Sequence, residues 1–260
     1  MSADQVPGYG SSSLVRVEPR FVDIHSHVVP SGDDGVRNVS EGLALGRDAF
    51  EHGTRLLYAT PHVSPALPLT DDRERRIRKA LAELRERAPL ELRLGYELTP
   101  MASLQDEDPW RYVLEETEHV LVEIPFTGSA DLFLEVGEWI EHAGLTPVVA
   151  HPERTEAVLT NPGFADELAE RGWLLQVNAS SLLRRHTPEM EHEGWRLIDG
   201  GLAALVASDG HRSTRPMLLD RAYELTRTRV GEERALRLFD GNALGLASSV
   251  AHARFLGSRR

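Results

Sequence analysis

Seven short runs of nearly continuous apolar residues, separated by amphipathic stretches, constrain the fold of this chain more than any other feature. A strand that is apolar along its whole length must be covered on both faces, which is typical of parallel strands in α/β proteins. Repeated strand–helix units of this kind predict a parallel barrel, or a near-barrel, in a single domain. The runs are Phe21–His25, Arg55–Thr60, Glu91–Glu97, His119–Ile124, Pro147–His151, Trp173–Asn178 and Ala203–Ser208.

The stretches between the runs have the spacing of helices. Thr70 is placed to cap one of them, with Asp71 and Asp72 in its first turn, where carboxylates favour the helix dipole. A doubly wound open sheet is the alternative architecture, but no glycine fingerprint of a dinucleotide-binding fold follows the first run. The predicted helices centre on Val39–Phe50, Ile77–Ala88 and Leu132–Ala143, open at Asn161-Pro162 with the proline in the first turn, and cover Glu189–Asp199, Leu218–Leu225 and Glu232–Phe239.

Composition excludes several classes of function. The formal net charge is -12, so the chain as a whole lacks the attraction to phosphates that drives binding to nucleic acids or anionic membranes. The absence of cysteine removes disulfides, cysteinate metal sites, iron–sulfur clusters and every mechanism with a cysteine nucleophile. From the charge, we expect the chain neither to bind nucleic acid nor to insert into a membrane.

The chain length and its ends predict a simple domain organisation. The 260 residues are close to the ~250 typical of a β/α barrel. Residues 1–18 have little to bury and predict a flexible tail, followed by one domain at residues 19–250 and a C-terminal tail at 251–260. With no apolar leader near Met1 and no apolar run that could span a bilayer, we expect a cytoplasmic protein.

Side chains that can bind metal ions stand at six of the seven predicted strand ends. Residues two apart in a strand point the same way, so His25 and His27 can reach one ion together, as can Asp209 and His211. Imidazole and carboxylate ligands without sulfur suit zinc, manganese or iron. The candidates are too numerous for one ion and predict two or three: His25, His27, Asp34, His62, Glu97, Glu123, His151, Asp209 and His211.

A single His-x-His pair is a weak signal, and the prediction depends on the conjunction of strand ends. Asn178 also ends a strand, but an asparagine at that place more often forms a turn, so we assign it no role. Asp33 fits the shaping of a glycine-flanked turn. Glu153 fits a ligand, a supporting carboxylate or a surface charge. The other histidines are scattered, and we interpret them as solvated or structural: His52, His119, His142, His186, His192 and His252.

Arginines follow two of the candidate ligands. Arg154 lies three residues after His151, and Arg215 lies four residues after His211. Metal ions together with planar guanidinium groups suit a phosphate oxyanion. We expect both arginines to contact substrate, with Arg212 as a competitor of Arg215 for that role.

Seven motifs in the sequence resemble those of a known family. The motifs cover nearly the whole chain, and the resemblance is to the PHP superfamily of phosphoesterases and, within it, to the CpsB/CapC family of bacterial tyrosine phosphatases. Two departures, Arg212 in place of the usual Asn and Asn242-Ala243 in place of Asn-Pro, leave the candidate ligands intact. The motifs are DIHSHVVPSGDDG (23–35), LLYATPH (56–62), LGYEL (94–98), LVEIP (121–125), VVAHPER (148–154), LLQVNASSL (174–182) and ASDGH (207–211).

The resemblance implies a single-domain, distorted (β/α)7 PHP barrel with its metal site at the carboxyl ends of the strands. It also implies three divalent transition-metal ions, manganese first, with iron or zinc as alternatives, and phosphate contacts from Arg154 and Arg215. The implied ligand sets are His25, His27, Glu97 and Asp209 for one ion, Glu97, Glu123 and His151 for a second, and Asp34, His62 and His211 for a third.

The expected function is that of a metal-dependent phosphomonoester hydrolase. The resemblance implies a protein tyrosine phosphatase linked to capsule or exopolysaccharide regulation, with a tyrosine-phosphorylated protein such as a bacterial tyrosine kinase as partner. A hydroxide bridging two ions would attack phosphorus in line. The alternatives are a phosphoesterase acting on a small molecule such as histidinol phosphate, and a non-catalytic phosphoprotein-binding module.

Overall fold

The computed structural model describes residues 20–212 and 215–246, in which short strands alternate with helices. The predicted tails, residues 1–18 and 251–260, lie outside the described residues. The strands are β1 (Phe21–Asp23), β2 (Thr54–Ala59), β3 (His62–Val63), β4 (Glu91–Leu94), β5 (Glu97–Leu98), β6 (His119–Glu123), β7 (Thr146–Ala150), β8 (Leu174–Asn178) and β9 (Ala203–Ala207). The helices are α1 (Val39–Glu51), α2 (Asp71–Arg87), α3 (Asp131–His142), α4 (Glu156–Thr160), α5 (Gly163–Glu170), α6 (Ala179–Leu182), α7 (Pro188–Gly200), α8 (Leu219–Val230) and α9 (Glu232–Phe239).

The strands pair in parallel and in the order in which they occur along the chain. One ladder runs β1-β2-β4 and the other β3-β5-β6-β7-β8-β9. Only Thr60 and Pro61 separate β2 from β3, and only Gly95 and Tyr96 separate β4 from β5, so the second ladder continues from the carboxyl ends of the first. The predicted parallel α/β architecture is confirmed, and the described strands lack the order reversal of a doubly wound sheet.

The apolar runs form strands because both of their faces are buried. Side chains that alternate along each strand separate into two apolar clusters, one between the strands and the helices and one on the opposite face of the strands. In β6, for example, Val120 and Val122 belong to the helix-facing cluster, whereas Leu121 belongs to the inner one. This double burial explains why the strands read as continuous apolar runs.

The predicted helices are confirmed, with small differences at their ends. The Thr70 hydroxyl accepts a hydrogen bond from the amide of Arg73 (3.2 Å) and caps α2 as expected. Pro162 lies one residue before α5 rather than in its first turn, so that prediction is wrong by one residue. The short helices α4 and α6 were not expected, because five and four residues are too few for a helical period to be read.

No helix within residues 20–212 and 215–246 combines the length and the apolar character needed to cross a bilayer. The longest of these helices, α2, has seventeen residues and is rich in charged side chains.

Candidate metal centre

The carboxyl ends of the strands lie at one edge, where the first strand meets the last. Ser26 and Gly210 form a parallel bridge, and the amide of His27 donates to the carbonyl of Gly210 (2.8 Å). The amide of Ser208 donates to Asp23 Oδ1 (3.0 Å). These contacts place the polar residues that follow β1 beside those that follow β9. All nine predicted metal ligands are brought together at this edge.

Four buried polar atoms converge at the centre of this edge. Nε2 of His25 and Nε2 of His27 each lie 3.2 Å from Glu97 Oε2 and 3.6 Å from Asp209 Oδ1. None of the four atoms has a hydrogen-bond partner among the described residues. Buried polar atoms without partners are costly, and a divalent cation would satisfy all four at once. The donor set, two imidazoles and two carboxylates, fits the expected metal.

A second group of possible ligands surrounds Asp34, on the outer side of His27. Nε2 of His211 and Nε2 of His62 lie 3.1 and 3.5 Å from Asp34 Oδ1. Together with His27, these residues offer ligand atoms that all lie within 4.8 Å of one another. Asp34 is exposed while His27 and His211 are buried, so this part of the site opens towards solvent.

A third group adjoins Glu97 on its other side. Glu97, Glu123 and His62 offer ligand atoms within 4.8 Å of one another. Nε2 of His151, which the family resemblance assigns to the same ion as Glu97 and Glu123, lies 3.0 Å from Glu97 Oε1. Burial and the charge of Glu97 raise the pKa of Glu123 to about 7. Glu97 therefore contacts histidines from several strand ends, as a shared ligand would.

Two of these residues have an unusual backbone conformation. His151 directly follows β7 and has a φ of 34°, and Asp209 lies two residues after β9 and has a φ of 50°. Left-handed φ is uncommon outside glycine and carries a cost that persists where the surrounding structure enforces it. The chain turns sharply at both positions and leaves these two side chains at the strand edge.

Three polar residues that the sequence analysis did not assign to the site hold the candidate ligands. Gln176 Oε1 lies 2.9 Å from His25 Nδ1, and Asp33 Oδ2 lies 3.1 Å from His27 Nδ1. Asn178 donates from Nδ2 to Asp209 Oδ2 (3.0 Å). Such contacts fix the orientation of an imidazole or carboxylate and leave its other atom for a metal. A sequence signal that could have identified Gln176 is its polar side chain in the middle of the otherwise apolar run of β8.

Glu153 is buried, so of the roles considered for it the surface charge is wrong. Its Oε1 accepts hydrogen bonds from the amide of Asn178 (3.0 Å) and from the Ser181 hydroxyl (2.7 Å). Burial raises its pKa to about 7. Glu153 thus joins the turn after β7 to the end of β8 and fixes the backbone of Asn178.

When no cation is bound, the carboxylates at the centre favour the protonated forms of His25, His27 and His62, whereas burial lowers the pKa of His151 and of His211. Burial disfavours the charged form of His27, but the carboxylates of Asp33 and Glu97 outweigh it and raise its pKa to about 10. Burial likewise acts against the charge of Glu97, yet His25 and His62 hold its pKa well below the ordinary value. A metal ion binding here would displace these protons.

Two arginines contact Asp209 through the same carboxylate oxygen, and Arg215 also lies 3.2 Å from Nε2 of His211. Arg154 Nη1 donates to Asp209 Oδ2 (2.8 Å), and Arg215 Nη1 donates to the same oxygen. Arg212 instead donates to the backbone carbonyl of Asp34 (3.3 Å). Of the two competing arginines, Arg215 is thus the one that contacts the carboxylate of a candidate ligand.

Among the remaining histidines, His186 stands apart. Its Nε2 lies 2.8 Å from Ser180 Oγ, and burial, followed by the charges of Arg154 and Arg215, lowers its pKa to about 4. His186 therefore lies within the electrostatic reach of the site, which its sequence context did not indicate. His142 and His192 are exposed, His52 pairs with Asp220 (2.9 Å), His119 is partly buried, and His252 lies outside the described residues.

Comparison with known proteins confirms the family that the sequence motifs indicated. The family described as "Capsular polysaccharide synthesis, CpsB/CapC" matches residues 21–247. Tyrosine-protein phosphatase YwqE of Bacillus subtilis is 28% identical over 198 residues, which cover 74% of this chain and 77% of the relative. Tyrosine-protein phosphatase CpsB of Streptococcus agalactiae is 29% identical over 236 residues, which cover 86% and 96%.

A solved structure also matches most of the chain. It comes from a pair described as YwqE of Bacillus subtilis and CpsB of Streptococcus pneumoniae, unique metal-dependent tyrosine phosphatases. The TM-score is 0.74 at 26% sequence identity, and the match covers 87% of this chain and 94% of that one.

Proposed function

The chain belongs to the CpsB/CapC family, and on that basis we propose that it is a metal-dependent phosphomonoester hydrolase that acts on phosphotyrosine in proteins. One observation carries the proposal: four buried atoms of His25, His27, Glu97 and Asp209, none with a hydrogen-bond partner among the described residues, converge beside two arginine side chains. The curated relatives are named tyrosine-protein phosphatases, and the solved structure is described as metal-dependent.

The metal ions would be held by residues from six strand ends. We propose three divalent ions, with manganese expected first and iron or zinc as alternatives, because the ligands are imidazoles and carboxylates without sulfur. When bound, such ions lower the pKa of a water molecule and withdraw charge from phosphoryl oxygens. The proposed ligands are His25, His27, Glu97 and Asp209, then Glu97, Glu123 and His151, and then Asp34, His62 and His211.

The arginines would bind the phosphoryl group. Arg154 uses Nη1 for Asp209, and a guanidinium has further N–H donors that can reach two phosphoryl oxygens at once. Arg215, which also contacts Asp209 Oδ2, would add a second cation. Asp209 and Asn178 thus position groups that stabilise the charge developing on the phosphoryl oxygens. A phenolate leaving group, with a pKa near ~10, needs less protonation than an alkoxide.

The strand order supports a closed arrangement of the sheet. If β2 with β3, and β4 with β5, are each counted as one strand, seven strands follow one another in chain order. The bridge between Ser26 and Gly210 joins the segments that follow β1 and β9. We propose that residues 19–250 form one phosphatase domain with a distorted (β/α)7 barrel, because closure would account for the meeting of the first and last strand ends.

The substrate would be another protein. We propose a tyrosine-phosphorylated protein, because the curated relatives are named tyrosine-protein phosphatases. The family description supports a role in the regulation of capsule or exopolysaccharide synthesis. A bacterial tyrosine kinase stays the expected partner from the sequence resemblance. The cytoplasmic location expected from the sequence stays a prediction.

A panel of phosphoesters tests the proposal. The full chain, purified without chelator and loaded with Mn²⁺, Fe²⁺ or Zn²⁺, is assayed on matched phosphotyrosine, phosphoserine and phosphothreonine peptides and on histidinol phosphate. We expect the highest kcat/KM on phosphotyrosine and loss of activity with chelator. A higher kcat/KM on histidinol phosphate would support the small-molecule alternative, and full activity without metal would overturn the proposal.

A further inference from the structure

An exposed aromatic ring lies beside the metal-binding and phosphate-binding residues. Phe126, three residues after Glu123, is 45% exposed, unlike most large apolar side chains among the described residues. Its ring is nearly parallel to the imidazole of His151 (interplanar angle 9°, centroids 5.5 Å apart). The guanidinium carbon of Arg154 lies 5.1 Å from its centroid. One open ring therefore contacts a candidate ligand and the proposed phosphate-binding arginine.

The backbone around Phe126 is held in place. Its carbonyl accepts a hydrogen bond from the amide of Glu156 (2.9 Å), and the Glu156 carboxylate accepts one from the amide of Gly128 (3.1 Å). Gly128 has a φ of +89°, which glycine adopts without a steric cost. The loop after β6 is thus tied to the start of α4, and the ring is presented on a fixed support.

The geometry leaves ring surface available. Parallel rings in contact are closer than 5.5 Å when they overlap fully, so His151 and Phe126 overlap only in part. A phosphoryl group held by Arg154 is bonded through a single ester oxygen to the rest of its substrate. An aromatic ring on that oxygen would therefore lie within reach of Phe126, whereas the alkyl stem of phosphoserine has no planar face to offer.

We propose that Phe126 packs against the aromatic ring of an aryl phosphate and makes the site selective for phosphotyrosine over phosphoserine and phosphothreonine. The inference rests on the proposed function, and it adds a specificity-determining residue that neither the motifs nor the metal ligands include. Aromatic pairs favour offset-stacked or edge-to-face contacts of the kind an open ring beside a phosphate site can make.

Steady-state kinetics on the metal-loaded full chain test the inference. Phe126→Ala is expected to raise KM for a phosphotyrosine peptide about three- to tenfold, with kcat within about twofold. KM for the phosphoserine peptide of the same sequence should not change. Phe126→Leu, which keeps an apolar side chain, should behave like Phe126→Ala, and Phe126→Tyr should restore the wild-type KM. Leu236→Ala, a truncation of another exposed apolar residue, should change neither substrate.

An equal loss on both peptides would overturn the inference, because it would mean that Phe126 only supports His151 and Arg154. An unchanged KM for phosphotyrosine in Phe126→Ala would overturn it as well.

A binding experiment separates this inference from the proposed function. Calorimetric titration of the same proteins with phenylphosphonate and methylphosphonate needs no turnover. The wild type should bind phenylphosphonate more tightly, and Phe126→Ala should lose that preference while binding methylphosphonate as before. If the wild type hydrolyses no phosphoester, the proposed function fails, but this titration still tests whether Phe126 contacts the aryl ring. Equal affinity of the wild type for both phosphonates would refute the role of Phe126.

Discussion

The inner faces of the strands differ between their two ends. In β6, Leu121 and Glu123 lie two residues apart on one face, and in β8, Leu174 is followed by Gln176 and Asn178 at the same spacing. The apolar floor consists of Val22, Leu56, Leu121, Val148 and Leu205, and the polar mouth consists of His25, His27, Glu97, Glu123 and Asp209.

Both regions are buried, but they reach stability in different ways. Floor side chains need only neighbours of suitable shape, which the facing strands supply. Mouth atoms need hydrogen bonds or a cation, and four of them lack a partner among the described residues. A buried polar group without a partner is a cost, so a protein keeps such a group where it binds something. Substitutions in the mouth should therefore lower activity more than stability, and substitutions in the floor should lower stability more than activity.

The largest effect on activity is expected in the mouth itself. His25→Ala should remove metal and lower phosphatase turnover by more than about 100-fold, because even the loss of a residue that merely orients a ligand costs about 10- to 100-fold. Elemental analysis and turnover on a phosphotyrosine peptide, measured on the same preparation, check both effects. Wild-type metal content in His25→Ala would contradict the proposed ligand set.

Removal of the phosphate-binding arginine should separate turnover from metal binding. Arg154→Ala is expected to lower kcat about 100-fold, the scale of losing one donor to a developing oxyanion, while metal content stays at the wild-type level. Arg215→Ala should be impaired in the same direction, and Arg212→Ala much less, since Arg212 contacts only a backbone carbonyl of the site among the described residues. A larger loss in Arg212→Ala than in Arg215→Ala would reverse that assignment.

The residues behind the mouth should tune metal affinity. Gln176→Leu removes the group that faces His25 Nδ1 but keeps a side chain of similar size, and it should weaken metal binding about 10- to 100-fold. Titration of the metal-free protein against a competing chelator measures the change. An unaltered affinity would mean that packing alone orients His25.

Metal affinity should rise with pH. Without a cation, the neighbouring carboxylates raise the pKa of His27 to about 10 and of His62 to about 9. Protons therefore occupy these rings at neutral pH and compete with the metal, and fewer protons compete as the pH rises from about 6 to about 8. Chelator competition across this range, with proton release followed in weak buffer, tests the sign. Constant affinity without proton release would argue against these histidines as ligands.

The smallest effect on activity is expected in the floor. Leu56→Ala empties part of a buried apolar cluster and should lower the free energy of unfolding by about 2 to 5 kcal/mol. Turnover per folded molecule should change by less than about twofold, since Leu56 is apolar and offers no group to a metal ion or to substrate. Urea unfolding and kinetics on the metal-loaded protein measure the two quantities. If Leu56→Ala lost turnover as His25→Ala does, floor and mouth would not be separate regions.

The strands and most helices could be predicted because each leaves a local pattern. Continuous apolar runs end at polar residues, and Thr70 with Asp71 and Asp72 marks the start of α2. The short helices α4 and α6 leave no period long enough to detect. Gln176 and Asn178 were missed as supporting residues because their partners, His25 and Asp209, come from other strands.

The sequence by itself determined which residues stand at the carboxyl ends of the strands, because each apolar run ends where polar residues begin. Only the tertiary structure decided which of them meet. His62 contacts both Glu97 and Asp34, and Phe126 stacks on His151, since distances between strand ends depend on register, twist and the meeting of β1 with β9. Those are set by contacts far apart in the chain, which no local pattern records.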